Sequence, residues 1–150
     1  MAAGTRIHYR ITGRPNGAPI LFIQGLGADK NGWNLQRLAT APWYRGIALD
    51  NRGAGRSGKP HGRYSLEQMA DGAIAVLDDA SEETAHVVGA SMGGAISQIM
   101  AVKYPERTRS ATLACTAGRT LRGGRSCWRA SAMPRSNAGS ARWGATLPAG

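Results

Sequence analysis

The apolar positions in the first two thirds of the chain predict short strands that alternate with helices. Residues 5–12 place Ile7, Tyr9 and Ile11 at every second position, which is typical of a strand. Three further strands are predicted from short apolar runs of the kind found in strands buried on both faces of a parallel sheet. These runs are residues 20–23, 45–50 and 85–90. A last strand is predicted at 109–115.

Helical patterns lie between these strands. A short helix is predicted at 33–39, and a second helix begins at Ser65, which forms a capping-box pattern with Gln68. Apolar residues then follow at helical spacing, namely Leu66, Met69, Ala70, Ala73, Ile74 and Leu77. A third helix is predicted from Met92 and ends before Pro105. The alternation predicts an α/β fold with a mostly parallel sheet and flanking helices.

Between the strand at 85–90 and the third helix, the chain places Ser91 between Gly89 and Gly93. A sharp strand-to-helix turn at such a G-x-S-x-G motif strains the serine backbone and lifts its hydroxyl above the sheet edge. Small neighbours are needed because strand and helix nearly touch there. The motif predicts that Ser91 is a nucleophile. The alternative is that its side chain only caps the helix.

Three segments resemble the N-terminal half of the α/β-hydrolase fold family, in the same order and at similar spacing. They are "ILFIQGLGAD", in the place of the family's oxyanion loop, "ALDNRGAGRSGKP", which is similar to its Asp-x-Arg-Gly-x-Gly-x-Ser loop, and "HVVGASMGGAISQIMAVKYPERTRS", which is similar to its elbow and following helix. The resemblance covers residues 5–117 and implies an incomplete α/β-hydrolase fold.

The resemblance also implies roles for individual residues. Ser91 would be the nucleophile, and the backbone N–H groups of Leu26 and Met92 would hold the oxyanion. Gly89 and Gly93 would be the elbow glycines. The implied activity is that of a serine hydrolase, with a small-molecule substrate that contains an ester or related acyl bond and with no metal or organic cofactor. Gln24 stands where the family often has histidine.

The groups that should activate Ser91 are missing from their usual places. In the family, an acid and then a histidine follow the serine, but the only acid after Ser91 is Glu106 and no histidine follows it. His86 precedes Ser91 by five residues on one strand, or roughly 16 Å. His8 and His61 have no evident carboxylate to orient them. We therefore expect no catalytic histidine or aspartate in this chain, and weak or no activity.

One loop fits two nucleotide-binding patterns. Residues 53–59, "GAGRSGK", match both a dinucleotide fingerprint and most of a Walker A motif. Both motifs require a helix to begin directly after the loop. Here Pro60 follows the loop, and the predicted helix begins only at Ser65. We expect instead a surface loop whose backbone is fixed by Asp50 and Arg52.

The formal net charge of +10 is concentrated at one end of the chain. Residues 1–106 contain 11 Lys and Arg against 9 Asp and Glu, whereas residues 107–150 contain 8 Arg and no acid. We expect two parts, with residues 1–117 as half of a hydrolase domain and residues 118–150 as an Arg/Gly/Ser/Ala-rich tail. This composition predicts a disordered tail, or residues translated out of frame after a truncation.

Two other functions remain open. The basic tail, with Trp128 and Trp143 among its arginines, would suit single-stranded nucleic acid, although an out-of-frame origin explains the arginines better. The other alternative is a non-catalytic α/β binding module. The chain contains neither a secretory signal nor an apolar run of about 20 residues, which favours a cytoplasmic protein without a membrane partner. An uncovered strand at 109–115 would favour self-association.

Overall fold

Five strands and three α-helices alternate along residues 4–116, the part of the chain that the computed structural model describes. The strands are β1 (Tyr9–Gly13), β2 (Ala18–Ile23), β3 (Tyr44–Leu49), β4 (Ala85–Ala90) and β5 (Thr108–Ala114). The helices are α1 (Asn34–Thr40), α2 (Leu66–Asp79) and α3 (Met92–Lys103). Short 3-10 turns at Lys30–Trp33 and Pro105–Arg107 precede α1 and β5. The tail predicted at 118–150 lies outside the described residues.

The strands form one sheet in the order β1-β3-β2-β4-β5. Only β1 is antiparallel to its neighbour, and the other three pairings are parallel. The predicted α/β fold with a mostly parallel sheet and flanking helices is therefore confirmed. Because β2, β3 and β4 run in the same direction, the loops that follow them leave from the same edge of the sheet.

The core is divided between the two faces of the sheet. The larger cluster joins strand residues such as Leu21, Ile47 and Val87 to Leu77 of α2 and Ile96 of α3. A smaller cluster on the other face consists of Ile20, Phe22, Trp33 and Ala48. The Phe22 and Trp33 rings pack with their centroids 5.4 Å apart. Both clusters include residues of β2 and β3, the strands that precede the two loops described below.

The first strand is shorter than predicted, because it begins at Tyr9 and not at residue 5. The preceding residues pair with the loop after β3: the Gly58 N–H donates to the Arg6 carbonyl, and the His8 N–H donates to Ser57 Oγ. Of the alternating apolar residues, Ile7 and Tyr9 pack against the core, whereas Ile11 is exposed. Within residues 4–116, no helix has the length and apolar character needed to cross a membrane.

Candidate active site

Ser91 forms the entire turn between β4 and α3. Its backbone has φ 53° and ψ −118°, a conformation that costs a residue other than glycine about 1–3 kcal/mol. Its carbonyl accepts hydrogen bonds from the Gly94 and Ala95 amides and so begins the helix. The side chain is exposed and makes no capping hydrogen bond, so the alternative of a helix cap is wrong.

The glycines beside Ser91 allow the backbones to approach closely. A Cβ atom at residue 89 would overlap the Gly93 carbonyl and Ser97 Oγ. A Cβ atom at residue 93 would overlap the Ile23 carbonyl and lie 2.8 Å from the Gln24 oxygen. The expected near-contact of strand and helix is present, and it extends to the neighbouring strand β2.

The loop after β2 lies directly against Ser91. A Cβ atom built on Gly25 would be 3.3 Å from Ser91 Cβ and 3.7 Å from Ser91 Oγ. Gly25 is buried, whereas the Leu26 side chain is 82% exposed at the surface of the same edge. The backbone of "QGLG" therefore borders the space above the serine hydroxyl.

Within the described residues, hydrogen bonding leaves two amides free at this edge. The Gly25 N–H donates to Oε1 of the preceding residue, Gln24, at 3.0 Å. The Ala28 N–H donates to the Gly25 carbonyl at 3.4 Å. Within residues 4–116, neither the Leu26 nor the Met92 N–H has an acceptor. Met92 also begins α3, whose dipole favours negative charge at this end. The two free donors and the exposed hydroxyl suit an oxyanion formed on a carbonyl bound at Ser91.

The histidines lie elsewhere. His86, at the start of β4, has its Nδ1 2.8 Å from Ser110 Oγ, as expected of a satisfied strand histidine. Burial, together with the positive charge of Arg109, lowers the pKa of His86 below 6.5. His61 is exposed in its loop. In the described part of the chain, no histidine is hydrogen-bonded to Ser91.

For His8, the expectation that no carboxylate lies nearby is wrong. Its Nδ1 is 3.3 Å from Asp50 Oδ2, a contact between the residue before β1 and the residue after β3 that no local pattern reveals. Burial lowers the pKa of His8, and the charges of Lys30 and Arg56 lower it further. His8 and Ser91 are nevertheless separated by three strand spacings, or about 14 Å, so this pair does not serve as the base.

Asp50 is fully buried and anchors two loops. It accepts hydrogen bonds from the Lys30 N–H at 2.8 Å, the Lys30 ammonium at 3.1 Å and the Arg56 N–H at 3.0 Å. Burial acts to raise the pKa of Asp50, but these hydrogen bonds outweigh it and hold the pKa below 3.8. Sequence reasoning missed Lys30, because a lysine in a polar stretch gives no sign that it will be buried.

The loop that fits the nucleotide patterns is a surface loop, as predicted. Its Arg56 amide, which would face a phosphate in a Walker A motif, is taken by Asp50, and α2 begins only at Leu66. The expectation for Arg52 is wrong, since its guanidinium lies 5.5 Å from the centre of the Tyr64 ring and its buried Nε has no hydrogen-bond partner within residues 4–116. Among residues 4–116, no group of three or more His, Cys, Asp or Glu is placed to hold a metal ion.

The family model of the alpha/beta hydrolase fold matches residues 18–132. The 3-oxoadipate enol-lactonase 2 of Acinetobacter baylyi is 31% identical over 132 residues, which cover 88% of this chain and 49% of that protein. The dihydrolipoyllysine-residue acetyltransferase component of the acetoin cleaving system of Pseudomonas putida is 38% identical over 106 residues, which cover 71% of this chain and 29% of that protein.

A solved structure shows the same architecture. The enol-lactonase of Burkholderia xenovorans LB400 superposes with a TM-score of 0.76 at 32% identity, covering 79% of this chain and 46% of that enzyme. The chain thus spans less than half the length of each of these three proteins. The matched family model and these relatives lead to one conclusion: the chain belongs to the α/β-hydrolase fold family.

Proposed function

We propose that this chain supplies the nucleophile and the oxyanion donors of a serine hydrolase that acts on an ester or related acyl bond of a small molecule. One observation carries the proposal: the exposed Ser91 hydroxyl stands at a strained turn beside two backbone amides that lack acceptors within residues 4–116. In this proposal residues 1–117 form the N-terminal half of the hydrolase domain. Two enol-lactonases are among the similar proteins.

The proposed chemistry starts at the serine oxygen. Ser91 Oγ attacks the carbonyl carbon, the carbonyl oxygen becomes negative, and the Leu26 and Met92 N–H groups donate to it. Each donor contributes about 3 kcal/mol to the stability of this intermediate. The alcohol then leaves, and an acyl group remains on Ser91 until water removes it.

No histidine in residues 4–116 takes the Ser91 proton, so without a further group the reaction depends on solvent base. Oxyanion binding alone sustains about 10³-fold acceleration over water in enzymes that have lost their triad. We therefore expect slow acylation of Ser91 and slower turnover.

Ser110 offers a stringent comparison within the same molecule. It is exposed and touches His86 Nδ1, but it lies inside β5 and not at a helix start. The test is to incubate the protein with p-nitrophenyl acetate and to follow acetylation of each serine by peptide mass spectrometry.

Ser91 is expected to be acetylated at least about tenfold faster than Ser110, since oxyanion donors serve only Ser91. The Ser91→Ala variant should lose this modification and keep that of Ser110. Equal rates at the two serines would contradict the proposal.

A further inference from the structure

The loop that carries Leu26 is held at both ends by the two residues that follow β3. Asp50 binds Lys30 at the far end of the loop through the Lys30 amide and ammonium groups. Asn51 binds the near end, because its Nδ2 donates to the Gln24 carbonyl at 2.8 Å. Asn51 is itself only 2% exposed. The free amide of Leu26 lies between these two anchors.

The Gln24 carbonyl is confined from two directions. Asn51 donates to it on one side, and Gly93 of the elbow helix lies so close that a Cβ there would be 2.8 Å from the same oxygen. The peptide plane that includes this carbonyl ends in the Gly25 N–H, which is taken by Gln24 Oε1. The next peptide plane, which contains the Gly25 carbonyl and the Leu26 N–H, is joined to this one at the Gly25 Cα. Its carbonyl accepts a hydrogen bond from the Ala28 N–H at 3.4 Å. The fixed Gln24 carbonyl therefore sets the starting point from which the Leu26 N–H is placed.

We propose that Asn51 is a positioning residue for the oxyanion site, because it fixes the Gln24 carbonyl and so sets the position of the Leu26 N–H relative to Ser91. The inference rests on the function proposed above. It gives Asn51 a role beyond satisfying a buried carbonyl. Displacements of about 1 Å in such a site change rates by as much as about 100-fold.

Three variants separate positioning from plain stability. Asn51→Asp keeps the shape of the side chain and removes the donor, and Asn51→Ala removes both. Asn34→Ala is the control, because Asn34 Oδ1 accepts its hydrogen bond from Arg37 Nη1 within α1 and not from the loop that carries Leu26. Circular dichroism and urea unfolding establish that each variant is folded under the conditions of the assay.

The decisive readout is the ratio of Ser91 acylation rates with an aryl ester and with the matching thionoester, whose C=S group is larger and accepts hydrogen bonds poorly. A placed oxyanion site favours the oxygen ester, whereas a general loss of stability affects both rates equally. We expect both Asn51 variants to lower the ratio at least fivefold toward its value for a simple alcohol in water. Asn34→Ala should leave the ratio unchanged, and an unchanged ratio in the Asn51 variants would overturn the inference.

Amide hydrogen exchange gives a second readout that needs no reaction at Ser91. In the Ser91→Ala background, Asn51→Asp should speed exchange of the Gly25 N–H at least tenfold relative to Asn34→Ala. Equal exchange would overturn the role of Asn51. If the wild-type Ser91 is not acylated while exchange changes as expected, the proposed hydrolase function fails and the anchoring of the loop by Asn51 stands.

Discussion

Gly93 is required for space and not for an unusual backbone angle. Its φ is not in the left-handed region, but a side chain there would overlap the Ile23 carbonyl. Gly72, inside α2, has the opposite surroundings, since a Cβ atom there would lie 3.6 Å from the Ile7 side chain, an ordinary contact distance. The two glycines therefore form a natural pair for measuring close approach at the elbow.

Gly93→Ala should lower the free energy of unfolding by about 1–3 kcal/mol, because the added methyl group forces β2 and α3 apart. Gly72→Ala should raise it by up to about 1 kcal/mol, since alanine is the better helix former. Urea unfolding followed by circular dichroism measures both. A neutral Gly93→Ala would show that the elbow has room that the structure does not display.

Asp50→Asn should cost about 3–5 kcal/mol at pH 7, because the Lys30 ammonium would stay buried without its partner. The pKa of Asp50 is held below 3.8 in the folded protein, so its stabilising contribution is full above that pH. The contribution is lost as the pH falls below 3.8 and through the folded-state pKa.

The stability difference between wild type and Asp50→Asn should consequently narrow below pH 3.8 in urea titrations at a series of pH values. Asp29→Asn, in the same loop and with exposed hydrogen bonds, is the control and should cost no more than about 1 kcal/mol. A difference that stays constant down to pH 2 would argue against a charged Asp50 in the fold.

Among single residues, the sequence predicted those whose position in a short motif indicates their role. Gly89 follows from the motif, because it closely approaches Gly93 and Ser97, which are near it in the chain. The motif also marked Gly93, but not that its close contact is with Ile23 of the neighbouring strand. Asn51 and Lys30 were missed, since their partners are 27 and 20 residues away. The contact of His8 with Asp50 was missed for the same reason.

At the scale of elements, the start of α2 was predicted directly from its capping residues. Ser65 Oγ accepts from the Gln68 N–H, and Gln68 Oε1 accepts from the Ser65 N–H, both at 3.1 Å, so the predicted capping box is confirmed. These two bonds satisfy amides that would otherwise lack partners at the first turn.

Ser65→Ala should lower the free energy of unfolding by about 1 kcal/mol, because the cap is lost. Ser65→Asp should retain most of the stability, since its carboxylate accepts the same bond and suits the helix dipole. Thermal unfolding of the three proteins at one pH makes the comparison. If alanine and aspartate behave alike, the cap does not stabilise α2.

The buried face of helix α1 could not be predicted from the spacing of its apolar residues. It buries Arg37, whose Nε donates to Thr12 Oγ1 at 3.2 Å, and leaves Leu35 and Leu38 78% and 70% exposed. Burial lowers the pKa of Arg37, and the nearby charge of Arg10 adds to the effect. Tertiary contacts from Trp33, which packs on Phe22, set the orientation of this helix, so its existence was predictable but not its inner face.

For the whole molecule, the order of elements and the parallel sheet followed from the alternation of patterns. The order of strands in the sheet and the antiparallel β1 did not, because both depend on pairings between distant segments. Within residues 4–116, β5 pairs with β4 alone, so its other edge offers unpaired backbone groups.

This edge predicts association that depends on protein concentration, measurable by sedimentation velocity. Thr112→Lys should weaken it, because lysine on an edge strand opposes pairing with another strand. Val102→Lys adds the same charge to an exposed site on α3, 67% exposed, and should have little effect. A protein that stays monomeric at all concentrations would contradict the prediction.

The positive φ of Ser91 makes its two simplest inert replacements unequal. Alanine removes the oxygen but inherits the unfavourable dihedral, whereas glycine removes the oxygen and relaxes the backbone. If only thermal stability mattered, glycine would be the favoured residue at this turn. The proposed nucleophile is held here against the conformational preference of its own residue, so under the proposed function thermal stability and reactivity place opposite demands on one position.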